Sequence, residues 1–239
     1  MRINRIALAG NPNTGKSTLF NTLTGLKQHT GNWPGKTVIH AEGSFEHNGE
    51  QYVLVDLPGT YSLFSNSADE EVARDYIIFD QPDATIVVLD ATSLERNLNL
   101  ALQVLEMTNN VIICINLIDE AEKKGIRIDD KKLARELGVP VVKISARNKK
   151  GIQQLLDTLS QLVKGQIVTT PYRMTYSKEI EEAITKIESK LEGYFDEKYP
   201  SRWVALRLLD GDEELILKLQ HHNKQHEVRT NGVPVSVKS

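Results

Sequence analysis

Eight consecutive residues, Gly10-Asn11-Pro12-Asn13-Thr14-Gly15-Lys16-Ser17, set two glycines, a lysine and a hydroxyl at the spacing of a phosphate-binding loop. Glycines let such a loop wrap so that its N–H groups point inward at an anion, and a following helix N-terminus adds positive potential. Lys16 would supply a point charge between the β- and γ-phosphates of a nucleotide. Ser17 would offer its hydroxyl to Mg²⁺, with Thr18 next to it in the first helical turn. A second set, Asp56-Leu57-Pro58-Gly59, ends a strand pattern. There a carboxylate can hold Mg²⁺ through a water, and the Gly59 N–H can reach a γ-phosphate.

Two further sets select a base. In Asn116-Leu117-Ile118-Asp119 the aspartate can accept both N1–H and the exocyclic amine of guanine, a donor pair that adenine lacks. Asn116 would hold neighbouring loops together and reach the other edge of the base. Ser145-Ala146-Arg147 would close the pocket, with the Ala146 N–H directed at guanine O6. Between the first helix and second strand lies Thr30-Gly31-Asn32-Trp33-Pro34-Gly35-Lys36-Thr37. Thr37 adjoins the strand and follows Pro34-Gly35, so it, rather than Thr30, is expected to swing over the nucleotide and give its hydroxyl to Mg²⁺. Trp33 reads equally as a packing anchor or as a switch or partner residue. All four sets in this order imply a site for GTP and GDP with Mg²⁺, and transfer of the γ-phosphoryl group to water.

Positioning these groups needs strands that end at one edge of a sheet. Strand patterns fall at Ile6–Ala9, Thr37–Glu46, Gln51–Asp56, Ala84–Asp90, Val111–Asn116 and Val139–Ile144, with Asn48-Gly49 providing a hairpin turn. Helical patterns fall from Lys16 to Gly25 and at Leu94–Met107, Asp130–Leu137 and Ile152–Val163. Such alternation predicts an α/β fold with a mostly parallel sheet, of the P-loop GTPase type, over residues 1–165. Residues 166–171 read as a linker, and 172–239 as a small helical domain. Within it, Ser177–Phe195 carries an inner stripe of Ile180, Ala183, Ile184, Ile187, Leu191, Tyr194 and Phe195. Shorter helices are expected at Trp203–Leu209 and Glu213–Leu219.

The 239 residues are 40% hydrophobic, enough for a substantial core, and 32 acidic against 29 basic side chains give no electrostatic reason to expect a nucleic-acid surface. The single cysteine, Cys114, sits in the apolar run 111–115 and is expected to be a buried, inert thiol in a reducing compartment. No secretory signal leads the chain, and no stretch approaches the roughly 18–20 apolar residues of a membrane span. His222 and His226 have i, i+4 spacing, but with His221 they read as a solvated helix face rather than a metal pair. Asp210, Asp212, Glu213 and Glu214 fit a helix N-terminus on dipole grounds.

Several of these segments together resemble one family. Asn11-Pro12-Asn13, Asn32-Trp33-Pro34-Gly35, the run from Asp56 to Leu63, the run from Asp69 to Tyr76 and the run from Ala91 to Leu98 are similar to the cytosolic N-terminal part of the bacterial ferrous iron transporter family FeoB. In the helical part the resemblance rests on Arg202–Asp212. It implies a helical domain that tunes nucleotide affinity and leads to a membrane permease of the same transporter, at the cytoplasmic face of the inner membrane. This chain would then be a fragment, with any homo-oligomer forming through the full-length protein. The resemblance extends to potassium-activated GTPases, where an asparagine matching Asn13 helps hold K⁺ beside the β- and γ-phosphates. Lys36 departs from the pattern, since an apolar residue is frequent there.

Thr60 follows Gly59 where Ras-like enzymes place a water-orienting glutamine, so the attacking water is expected to be positioned by backbone near Thr37 and Gly59. The implied task is coupling nucleotide state to Fe²⁺ uptake. Two other readings stay open. One is a nucleotide-sensing switch in which hydrolysis is only a timer. The other is an RNA- or ribosome-associated GTPase, against which the net acidity argues.

Overall fold

The computed structural model describes residues 2–25, 28–64, 67–191 and 199–230, with backbone alone for 223–230. The chain divides into two compact units, Met1–Arg173 and Met174–Ser239.

The first unit is built on one seven-stranded sheet. Its strands are β1 (Ile3–Gly10), β2 (Gln28–Asn32), β3 (Ile39–His47), β4 (Glu50–Asp56), β5 (Ala84–Asp90), β6 (Val111–Asn116) and β7 (Val141–Lys143), in the order β2-β3-β4-β1-β5-β6-β7. β1 runs parallel to both β4 and β5, and β6 runs parallel to β5 and β7. Among the described residues, the β2–β3 and β3–β4 strand pairs are antiparallel. Every residue of β6 is buried, as both-face coverage by helices requires of a central parallel strand. The helices are α1 (Lys16–Thr24), α2 (Ala68–Asp75), α3 (Leu94–Met107), α4 (Ile118–Lys123), α5 (Asp130–Leu137) and α6 (Ile152–Val163). The core under α1 and α6 joins Ile6, Leu8, Leu19, Ile86, Ile112, Cys114 and Leu155. Cys114 is wholly buried, and that burial pushes its thiol pKa up, so it stays protonated.

Asn48 and Gly49, both at positive φ, close the β3–β4 hairpin as expected. Two features differ from the sequence reading. Gln28–Asn32 is an edge strand on β3, in register from Gln28↔Gly43 to Asn32↔Ile39, where a free loop is expected. Its residues are nearly all exposed, so no apolar alternation marks it. β3 accordingly begins at Ile39 rather than Thr37, because Trp33-Pro34-Gly35-Lys36 forms a turn. Its Lys36 N–H donates to Trp33 O at 3.0 Å, and the Trp33 N–H donates to Val38 O at 2.9 Å. The second difference is α2, a largely charged helix capped by the Ser67 hydroxyl on Glu70 N and continued by one π-helical turn, Tyr76–Asp80. Residues 166–171 lie along the first unit. Thr170 N donates to Gly138 O, and the Thr169 hydroxyl donates to Asn109 O.

The second unit contains α7 (Lys178–Leu191), α8 (Ser201–Leu209) and α9 (Glu213–Thr230). Ile184, Ala205 and Leu206 form its core, with Tyr176, Ile187 and Leu191 packed against them. Ile180 is 41% exposed and not part of the inner stripe, while Tyr194 and Phe195 lie outside the described residues. α9 continues well beyond the expected Leu219. At the start of α7, Glu181 accepts from Arg202 Nη1 and Nη2, each at 2.8 Å, and from Tyr176 N. No described helix is long and apolar enough to cross a membrane. Among the described residues no three His, Cys, Asp or Glu side chains gather as a metal group. His221 and His222 are exposed, and the side chain of His226 lies outside the described set.

Candidate nucleotide site

The sheet brings the four sequence elements to one edge. β1 ends in Gly10, β4 in Asp56 and β6 in Asn116, and Ser145 follows β7, so all four open at the carboxyl ends of neighbouring parallel strands. This is where open α/β sheets bind ligands.

The loop from Gly10 to Ser17 runs from β1 into α1, with Asn13 at φ 67° and Gly15 at φ 78°. A Cβ on Gly15 would stand 2.4 Å from Asn116 Nδ2, and one on Gly10 would stand 2.7 Å from Val88 O. Both positions are therefore closed to any side chain. No side chain caps α1, which leaves the N–H groups of its first turn free to meet an anion. Asn13, Ser17 and Thr18 are exposed at this mouth, whereas Thr14 is buried and donates its hydroxyl to Asn11 O at 3.0 Å. Asn11 is buried too, and its carboxamide has no hydrogen-bond partner.

Lys16 is 9% exposed, and its ammonium is paired with the Asp56 carboxylate. It also donates to Leu57 O at 2.7 Å. The sequence reading aims this charge at phosphate; in the structure it crosses to the end of β4, because a buried ammonium needs a counter-charge. Burial raises the pKa of Asp56, and Lys16 opposes that rise. The two groups expected to serve the nucleotide and Mg²⁺ thus neutralise each other.

Asn116 is the keystone on the base side. It is buried, its Nδ2 donates to Thr14 O at 2.9 Å, and its Oδ1 accepts from Ala146 N at 3.0 Å. These two bonds join the loop of residues 10–17 to the loop after β7, and the second engages the Ala146 N–H that the sequence suggests for a base. A contact with guanine O6 requires that bond to be shared or exchanged. Asp119 lies in the first turn of α4, and its pKa is lowered chiefly by the Ser145 hydroxyl, then by backbone N–H groups and Lys123. It is an ionised acceptor. Its Oδ2 takes the Asn148 amide at 3.0 Å, a partner the sequence reading missed. Arg147 is exposed.

Thr37 is exposed and lines, with Ile39, Gly59 and Asp69, an open groove of about 530 Å³. Thr37 and Gly59 are therefore brought to one groove. Trp33 packs against His40, with centroids 4.5 Å apart, and edge-on to Tyr76 at 5.4 Å. Lys36 reaches Glu71 of α2 at 2.5 Å, so the loop before β3 is tied to the helix after Gly59. Thr60 is buried, and Tyr61 lies under the Arg96 guanidinium at 4.7 Å.

The family model described as Ferrous iron transport protein B matches residues 4–159, and that of the FeoB cytosolic helical domain matches 176–231. The Fe(2+) transporter FeoB of Methanocaldococcus jannaschii is 47% identical over 216 residues, covering 89% of this chain and 31% of its own length. The Fe(2+) transport protein A/Fe(2+) transporter FeoB fusion protein of Porphyromonas gingivalis is 40% identical over 215 residues, covering 88% and 26%. The chain thus spans about a third or less of these relatives. The cytosolic domain of the T. maritima FeoB iron transporter in its GMPPNP form superposes with a TM-score of 0.83 at 37% identity, covering 98% of this chain and 88% of that one.

Proposed function

This chain belongs to the FeoB family of ferrous iron transport proteins, and from that premise we propose that it binds GTP with Mg²⁺ and hydrolyses it to GDP and phosphate. The observation that carries the reading is Asn116, one buried carboxamide that binds the phosphate loop through Thr14 and the base-closing loop through Ala146. A single side chain thereby fixes the distance between a phosphate cradle and a base acceptor. The similarity to the T. maritima cytosolic domain in its GMPPNP form supports binding of a nucleoside triphosphate.

Gly10 to Ser17 would wrap the phosphates, with Lys16 leaving Asp56 to meet them. Ser17, Thr37 and Asp56 carry the hard oxygen donors that suit Mg²⁺, and Asn13, exposed at the loop mouth, would hold K⁺. When bound, these cations offset the charge that develops on the transferred phosphoryl group. Water is positioned by backbone near Thr37 and Gly59, since Thr60 turns its side chain into the protein. Asp119, Asn116, Ser145, Ala146 and Arg147 would hold the guanine. In the whole transporter this unit sits at the cytoplasmic face of the membrane, and its nucleotide state couples to Fe²⁺ uptake through a permease outside this chain. The helical unit tunes nucleotide affinity and joins the two.

Base choice tests the assignment. Asn at position 119 would accept N1–H and donate to the 2-carbonyl of xanthine. The Asp119→Asn variant is expected to lose GDP affinity by on the order of 100-fold or more and to bind xanthosine diphosphate in preference. Unchanged GDP affinity would place the base elsewhere.

A further inference from the structure

Asp119 has a partner on the neighbouring loop. Asn148, exposed on the loop after β7, donates its Nδ2–H to Asp119 Oδ2 at 3.0 Å. An ionised carboxylate only accepts, so the amide nitrogen, not its oxygen, faces Asp119. The loop that delivers it is a tight one. Ser145 and Lys150 exchange backbone hydrogen bonds at 3.0 and 3.1 Å, and Lys149 sits between them at φ 56°. Lys150 then pairs with Glu122 on α4 at 3.2 Å. Two independent contacts, Asn148–Asp119 and Lys150–Glu122, thus fasten this loop to the helix that carries the specificity carboxylate.

We propose that Asn148 is a specificity-determining residue that stands in for the exocyclic amine of guanine, occupying Asp119 until the base displaces it. The inference rests on the guanine-nucleotide reading above. An amide N–H on Oδ2 has the chemistry of the amine that guanine presents to the same carboxylate. Guanine brings two donors, N1–H and the amine, and claims both oxygens of Asp119. Where the amine takes the lone pair that Asn148 holds, binding exchanges one hydrogen bond for another at Oδ2, and the gain from the amine is smaller than it would be without Asn148. Hypoxanthine, which lacks the amine, needs one oxygen and leaves Asn148 in place. The residue thus lowers the preference for guanine over hypoxanthine.

The test is the affinity of this chain and its Asn148→Ala variant for GDP and for inosine diphosphate, by titration with Mg²⁺ present. A hydrogen bond to a charged group, weakened by exposure, sets the scale. The variant is expected to bind GDP about three- to tenfold more tightly, with inosine diphosphate changed by less than about twofold. Equal changes for both nucleotides, or weaker GDP binding in the variant, would overturn the proposal and make Asn148 a loop brace or an orienting partner. Absence of GDP binding by the wild type would overturn the underlying assignment as well, and so is distinguishable from failure of the Asn148 role alone.

Discussion

At the scale of single residues, Lys16 and Asp56 of the candidate site are paired with each other. Neither group is free to act until the pair opens. Both are partly or wholly buried, and their separation without a replacement partner would cost several kcal/mol, about 3–5 for a buried pair. On the proposed reading, a nucleotide would supply the replacement for Lys16, and Mg²⁺ would supply it for Asp56. Asp56→Asn would remove the competing anion along with the proposed metal ligand. It should bind GDP about tenfold more tightly than wild type in the presence of a chelator, and gain little from added Mg²⁺. Calorimetric titration with and without Mg²⁺ measures both; a variant weaker than wild type in chelator would contradict the ion-pair competition. Much at this scale was legible in the sequence, because Gly10 to Ser17, Asp56 to Gly59 and Asn116 to Asp119 each carry chemistry in their residue types. The Lys16–Asp56 pair and the Asn148 contact were not legible. They are choices the side chains make among partners that only the assembled strand ends bring together.

At the scale of elements, the segment between α1 and β3 is where structure and sequence part. Strands β4, β5 and β6 announce themselves by continuous apolar runs, and α3, α5 and α6 by helical period. β2 has neither signal, since Gln28-His29-Thr30-Gly31-Asn32 pairs by backbone alone at a sheet edge. α2 was hidden for a related reason: Ala-Asp-Glu-Glu-Val-Ala-Arg-Asp has too few apolar residues to show a stripe. Its contacts give the segment its character, with Trp33 lodged between His40 and Tyr76 and Lys36 held by Glu71. Trp33 is thus a packing anchor on the very loop expected to close over the nucleotide. If Thr37 moves toward the phosphates, the Trp33 contacts must change. Tryptophan emission should therefore shift when a non-hydrolysable GTP analogue binds, shift less with GDP, and stay constant in Trp33→Phe. Identical emission in all nucleotide states would mean that the loop remains seated.

At the scale of the molecule, the two units rest on different interactions. The first has a seven-stranded sheet and a continuous apolar core. The second has a small core and leans on Glu181, whose pKa Arg202 and the Tyr176 N–H pull from 4.5 down to about 2. A carboxyl depressed on folding contributes stability that is fully present above about pH 4.5 and lost as pH falls through about 2. The thermal midpoint of the second unit, read from Trp203 emission in a Trp33→Phe background, should exceed that of Glu181→Gln at pH 6. The gap should shrink steadily toward pH 2, and a gap independent of pH would remove the ion pair from the account. The function proposed for this chain is turnover of GTP. The most direct measurement is hydrolysis by the wild-type chain and Asn13→Ala in matched KCl and NaCl. The account predicts faster wild-type turnover in KCl and no such acceleration in the variant. GTP bound but hydrolysed at one rate in both salts, with and without Asn13, would contradict it.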